Sequence, residues 1–196
     1  MSNKSSEESM SLQVLCKAPR IEIVDNFLSA EEMLHILDFA SNAKQLEADG
    51  IQTHMGNTGF SFEYPVTNNP VLLAIGNRIQ NITGVVNRLP HSMRFRHYMT
   101  GQSHPVHYDA YNIQGFTLII TALIYLNDVD EGGATFFPEA EPEPISVEPK
   151  IGRLALWYGY NDKLEQDMRA KHEGLLVSKG NKFTLTSFIY HDLGAS

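Results

Sequence analysis

The chain has 196 residues, 42% of them hydrophobic and 19% charged, with a formal net charge of −8. That length carries one domain with a real core, and the acidic balance excludes a nucleic-acid backbone as the main partner, because phosphate binding needs clustered Lys and Arg. The longest apolar stretch, residues 116–126, is too short for a bilayer and contains Thr117 and Thr121, so no membrane span is expected, and Cys16, the only cysteine, excludes an internal disulfide and fits a reducing, cytoplasmic location.

Residues 1–11 are rich in Ser and Glu and lack an apolar h-region, which reads as a disordered tail and not a signal peptide. The expected organisation is a disordered tail over 1–18 and a single domain over 19–196. Ile21 to Val24 alternate in the β manner. Ser29 followed by Glu32 is a capping box, and Leu34, Ile36, Leu37 and Phe39 supply an apolar face, so a helix is predicted over 30–43. Asn69-Pro70 opens a second helix, with Val71, Leu72, Ile75, Ile79 and Ile82 at helical spacing as far as Gly84. From residue 91 the character changes to short β-type runs at 93–100, 117–127, 134–137, 145–147, 154–158, 175–177 and 182–190. Gly101, Gly132-Gly133, Pro142, Pro144, Gly152 and Gly180 separate them. Two helices followed by many short strands predict an α+β domain. Its β part is a sandwich or barrel with the helices packed on one sheet.

His107-Tyr108-Asp109 is an H-x-D step. In an extended segment, residues two apart point the same way, so both side chains can reach one metal. A later histidine completes a two-histidine, one-carboxylate set, which leaves three positions of an octahedron open, as in non-haem Fe(II) oxygenases. His172, 65 residues downstream, is the candidate. The spacing alone proves little, but Lys182 adds to it. Lys182 shares a strand face with Thr184, Thr186 and Phe188, and a strand that buries a lysine needs an anion for it. A dicarboxylate that chelates the metal at one end presents its far carboxylate to such a lysine. Arg94 and Arg96 share a face with Tyr98, so one of them could also reach the pocket, with exposure to solvent the expectation. Between His97 and Pro149 there is no Lys or Arg, yet there are eight carboxylates. They form either a solvated loop or an acidic rim that favours a cationic substrate. A non-catalytic metal-binding or sensing jelly-roll module would need the three ligands but has no use for Lys182 and Tyr98. A hydrolytic zinc site lacks an evident separate general base.

Residues 91–191 resemble the catalytic domain of the prolyl 4-hydroxylase family of Fe(II)/2-oxoglutarate-dependent dioxygenases. Tyr98-Met99-Thr100-Gly101-Gln102 and His107-Tyr108-Asp109 are similar to its Y-x-x-G-Q…H-x-D segment. Tyr125-Leu126-Asn127-Asp128 and Gly132-Gly133-Ala134-Thr135-Phe136-Phe137-Pro138 are similar to its Y-L-N-D…G-G-x-T-x-F-P segment. Pro149-Lys150-Ile151-Gly152 resembles its P-K-x-G step, and His172…Gly180-Asn181-Lys182 its H…G-x-K. The resemblance implies a double-stranded β-helix (jelly roll) with N-terminal helices packed on one sheet. It implies Fe(II) on His107, Asp109 and His172, with 2-oxoglutarate and O2 as cosubstrates and ascorbate as a further cofactor. Lys182 pairs with the far carboxylate of 2-oxoglutarate, and Tyr98, Thr135 and Tyr125 line or hydrogen-bond it. The implied reaction hydroxylates an unactivated C–H bond of a peptidyl or protein residue, with a free amino acid or other small metabolite as the alternative. Because Asp109 is present, a halogenase is not expected. Two departures bear on substrate. Leu118 stands three residues before Thr121, where the family usually carries Arg, and Phe183 and Phe188 replace two tryptophans. The sequence says nothing of oligomeric state.

Overall fold

A computed structural model describes residues 10–109 and 111–193. In chain order the elements begin with strands β1 (Leu12–Lys17) and β2 (Arg20–Val24), then helices α1 (Ala30–Ser41) and α2 (Ala43–Ala48). A hairpin of β3 (Thr53–Gly56) and β4 (Gly59–Pro65) leads to helix α3 (Pro70–Thr83). Strands β5 (Ser92–Met99), β6 (His104–His107), β7 (Asn112–Ile113), β8 (Phe116–Tyr125), β9 (Glu131–Gly132) and β10 (Thr135–Phe137) follow. The chain continues through β11 (Ile145–Val147), β12 (Leu154–Tyr158), a 3-10 turn at Met168–Ala170, β13 (His172–Gly174), β14 (Val177–Lys179) and β15 (Asn181–His191).

The helix ends follow the chemistry of their residues. Ser29 Oγ accepts from the Glu32 N–H at 3.2 Å while the Glu32 carboxylate accepts from the Ser29 N–H at 2.9 Å, so two otherwise orphaned donors are satisfied. Asn69 Oδ1 accepts from the amides of Val71 and Leu72, and Pro70 fills the first helical position without losing a hydrogen bond. Gly84 closes α3 at φ 71°, a left-handed conformation that glycine takes without a Cβ penalty.

The strands form a nine-stranded antiparallel sheet in the order β1-β2-β12-β8-β15-β5-β4-β3, with β7 also on β8. A four-stranded sheet, β11-β10-β13-β6, faces it, and β9 and β14 form a short ribbon. Strand alternation divides the large sheet. On one face Ile120, Ala122, Ile124, Leu154, Leu156 and Leu185 pack against Ile36 of α1 and Leu72, Ile75 and Ile79 of α3. Full burial of each such Leu or Ile contributes roughly 1.5–3 kcal/mol, so this layer carries much of the fold's stability. On the other face Leu123, Tyr125, Ala155 and Trp157 meet Phe137 and Val147 of the small sheet. The result is a double-stranded β-helix with helices packed on the outside of its larger sheet, and the helix-free mouth between the two sheets is left for chemistry.

Three expectations need correction. Residues 12–17, assigned to a disordered tail, form β1, which pairs with β2 and buries Cys16; residues 1–9 of that tail lie outside the described residues. The edge of β2 takes a partner there, and Leu12, Val14 and Cys16 supply the alternation that the Ser/Glu-rich residues before them obscured. Residues 175–177 do not form a strand of their own. Leu175 N–H donates to Ala134 O and Leu176 O accepts from Gly133 N–H as the chain crosses from β13 to β14, so its hydrogen bonds go to the glycine turn. Helix α2 and the β3–β4 hairpin were not predicted, although Phe60, Phe62 and Tyr64 alternate in β4. No helix among the described residues is long and apolar enough to cross a membrane.

Candidate active site

His107 ends β6 and His172 begins β13, and the two are register partners in the small sheet. Their rings lie 4.3 Å apart. Asp109 follows two residues after His107, where the chain has left the strand. Its Oδ1 is 3.4 Å from His107 Nε2 and its Oδ2 is 3.5 Å from His172 Nε2. One ligand atom from each of the three falls within 4.8 Å of the other two. The tautomers are set from behind. Each Nδ1 faces a backbone carbonyl, His107 to Pro105 O at 2.8 Å and His172 to Ala170 O at 3.0 Å. Each ring therefore holds a proton on Nδ1 and turns Nε2 toward the shared space, where it would bind a metal once the Nε2 proton that Asp109 favours on His107 has left.

Asp109 is held from the large sheet. Its Oδ2 accepts from Thr121 Oγ1 at 2.7 Å and from Trp157 Nε1 at 3.2 Å. Burial works against its charge, but the hydrogen bond to His107, the nearby His172 and the Thr121 hydroxyl outweigh it and hold the carboxyl below its ordinary range. Burial pushes His172 down. An ionised carboxylate and a neutral, oriented imidazole are the forms that bind a divalent metal. Thr121 and Trp157 were not singled out from sequence as partners of Asp109. A polar residue inside the apolar run of β8 was the available signal for the first, and nothing local pointed to the second.

The three ligands open onto a cavity of about 90 Å³. Lys182, Thr184, Thr186 and Phe188 of β15 line it, as their alternation predicts, together with Thr135 and Tyr98. Lys182 is 4% exposed, and its Nζ donates to Gly133 O at 2.5 Å and stands 5.3 Å from the Tyr98 ring. Among the described residues it forms no ion pair. Burial pushes its ammonium down to about 8, still charged at neutral pH. Burial likewise pushes the Tyr98 phenol up to about 12, which keeps it a neutral donor. A buried cation without a counter-ion fits the far end of a dicarboxylate. Tyr125 does not reach the cavity wall. It is fully buried behind it, 2.7 Å from the Thr135 hydroxyl and donating to Val147 O at 3.1 Å, so it braces Thr135.

Other wall residues depart from expectation. Arg94 and Arg96, expected at the solvent face, line the cavity. His104, not singled out, also lines it, with its ring 4.5 Å from that of His107. Of the eight carboxylates between His97 and Pro149 only Asp109 is on the wall, against three cations, Arg94, Arg96 and Lys182. The acidic excess of that stretch, left open as a rim or a solvated loop, is therefore not part of this wall. Leu118 is buried and not part of this wall; it lines a smaller pocket beside it together with Asp109, Thr121 and Trp157.

Comparison with known proteins agrees with this geometry. A probable prolyl 4-hydroxylase of Arabidopsis thaliana is 28% identical over 209 residues, covering 91% of this chain and 71% of the relative. The viral collagen prolyl hydroxylase of Paramecium Bursaria Chlorella virus-1, solved with 2-oxoglutarate, superposes with a TM-score of 0.69 at 20% identity, covering 90% of this chain and 98% of that one. A prolyl hydroxylase from Trichoplax adhaerens, solved with a hypoxia inducible factor peptide fragment, superposes at 0.62 and 17% identity, covering 90% and 87%. The family description "2OG-Fe(II) oxygenase superfamily" matches residues 93–190, the stretch that holds all three candidate ligands and Lys182. The chain belongs to the 2OG-Fe(II) oxygenase superfamily, and it is an Fe(II)- and 2-oxoglutarate-dependent dioxygenase.

Proposed function

We propose that this dioxygenase hydroxylates a prolyl residue of a peptide or protein, with Fe(II) held by His107, Asp109 and His172 and the far carboxylate of 2-oxoglutarate held by Lys182. The observation that carries the site assignment is the meeting, in one cavity, of three convergent ligand atoms and a buried lysine without a counter-ion. The substrate assignment is supported by the relatives and neighbours whose names are prolyl hydroxylases, one of them bound to a peptide.

Iron with 2-oxoglutarate and O2 supplies the chemistry: the cosubstrate is decarboxylated to succinate and CO2, one oxygen atom ending in succinate and the other in the new C–OH. The chain supplies the positioning. His107 and His172 would each offer an imidazole nitrogen, and Asp109 a carboxylate oxygen, to hold the iron. Thr121 and Trp157 fix the carboxylate, and Pro105 and Ala170 fix the rings. Lys182 orients the cosubstrate by charge, Tyr98 offers a neutral hydroxyl beside it, and Thr135 is braced by Tyr125. Leu123 and Phe188 supply apolar surface to the cavity wall.

The test is succinate formation with a panel of proline-containing peptides and free amino acids, with the hydroxylated position read by mass spectrometry. Purified His172→Ala should bind less iron and form no succinate while keeping its circular dichroism spectrum. Full turnover in that variant overturns the metal assignment. Succinate formation stimulated by free amino acids and not by any peptide overturns the peptidyl substrate and leaves the dioxygenase intact.

A further inference from the structure

We propose that Arg96 binds a carboxylate of the substrate, and that the substrate is therefore an acidic peptide; this rests on the peptide-hydroxylase reading above. Arg94 and Arg96 both project from the inner face of β5 into the cavity, but their surroundings differ. Arg94 is matched, its Nε 2.6 Å from Glu63 Oε1 on the neighbouring strand β4. Arg96 forms no ion pair among the described residues. Its Nη1 donates to the Thr58 backbone carbonyl at 3.2 Å, and its guanidinium stands 5.7 Å over the Tyr98 ring.

A guanidinium has five N–H donors and cannot shed its charge. Half-burying one against a cavity with a single carbonyl partner leaves most of those donors facing the space where substrate must sit. If this position had only to complete the wall, a neutral side chain would do so without the desolvation cost. Thr58 lies in the turn between β3 and β4, so its carbonyl holds one edge of the fork against the hairpin and leaves the other edge for a ligand. The planar fork suits a carboxylate, which it grips through two parallel bonds. Lys182 lies two residues farther along the pairing of β5 with β15, opposite Tyr98, whereas Arg96 is opposite Thr184. The two cations thus occupy successive rungs of one face and can serve different anions, the cosubstrate at Lys182 and the substrate at Arg96. The wall's excess of cations favours the same sign of ligand and disfavours an ammonium group.

The experiment reads binding as well as turnover. The protein is loaded with Fe(II) and 2-oxoglutarate under anaerobic conditions, and calorimetry gives dissociation constants for peptides capped at both ends. These have Glu, Gln or Lys beside a central Pro, and a second set has Ala at the centre. An uncapped Gln peptide with a free C-terminal carboxylate shows whether a chain terminus substitutes for the side chain. Either Glu-flanked or free-acid peptides should bind about ten- to a hundred-fold tighter than the capped Gln peptide, the usual worth of a charge-assisted bond. Lys peptides should bind more weakly still. Arg96→Gln should remove the acidic preference and Arg96→Lys should restore part of it. Equal affinities for all peptides in the native protein, or no binding of any acidic peptide, overturn the proposal without a variant. So does a preference intact in Arg96→Gln, or a loss of 2-oxoglutarate affinity there with the peptide preference unchanged, which assigns Arg96 to the cosubstrate. If acidic peptides bind equally with Pro or Ala and no Pro is hydroxylated on admitting O2, the prolyl reading fails while the role of Arg96 stands.

Discussion

Lys182 is the residue at which function and stability pull apart. Its ammonium is charged below about pH 8 and loses its proton above it. Binding of a carboxylate needs the charged form, so the KM for 2-oxoglutarate should rise as pH passes upward through about 8, and steady-state kinetics from pH 6.5 to 9.5 measure it. Lys182→Met should have a KM roughly ten- to a hundred-fold higher, with no inflection there. The same burial predicts a stability gain. A lysine whose folded value is depressed destabilises the fold while it is charged, and that penalty disappears as pH rises from about 8 toward its unfolded value of about 10.4. Without cosubstrate, Lys182→Met should therefore be more stable at pH 7 by roughly 3 kcal/mol, read as a higher Tm; an unchanged Tm would show that the protein already solvates the charge. At this scale much was legible in the sequence. His107, Asp109 and His172 meet as the H-x-D step and a later histidine suggest, although Asp109 lies beyond the end of β6, and Lys182 lies on the face that the alternation of β15 predicts. Thr121 and Trp157 were not legible in their roles, because each acts through Asp109, far from it in the sequence, and has no motif of its own.

Among the elements, β1 carries the clearest consequence. It covers the edge of β2 through five register pairs and brings Cys16 and Leu15 onto the core between the sheets. Removing residues 10–17 should lower stability by about 2 kcal/mol or more, measured by urea unfolding, and should leave an exposed strand edge prone to self-association. A truncated protein as stable as the full chain would return this segment to the dispensable tail that its composition suggests. The elements read correctly from sequence, α1, α3, β11 and β12 among them, are those whose caps or alternation are complete within a few residues. Strands β3 and β6 escaped prediction for a shared reason. Their surfaces are exposed or turned to a cavity, so the apolar period that reveals a strand is diluted: all four residues of β3 are exposed, and His104, Pro105, Val106 and His107 show no alternation of polarity.

In the molecule as a whole, the helices, the large sheet and the small sheet stack in that order, and the layers are pinned where the chain turns between them. Asp25, after β2, accepts from Arg153 Nε at 2.6 Å and from Lys150 Nζ at 2.8 Å, both in the turn before β12. The Arg153 hydrogen bond leads, against the opposing effect of burial, in holding the Asp25 carboxyl down to about 2. A depressed carboxyl stabilises the fold above its unfolded value of about 3.9 and loses that contribution as pH falls through about 2. Asp25→Asn should thus be less stable than the native protein at neutral pH by roughly 1–2 kcal/mol, with the two unfolding curves converging between pH 4 and 2; a constant difference down to pH 2 would rule the clamp out as the cause. The layer order was legible in the sequence, since helices before short strands leave few ways to cover a sheet. The charge of the cavity was not, because it depends on which face of β5 meets it and not on how many acids the neighbouring loops hold. Trp157, the chain's single tryptophan, donates to Asp109 and lies 4.7 Å from His172. All of the protein's indole fluorescence therefore originates at one point beside the candidate iron ligands. Light emitted from the native, unlabelled molecule reports the arrival, departure and change of oxidation state of whatever ion sits there, whether or not a substrate has been found.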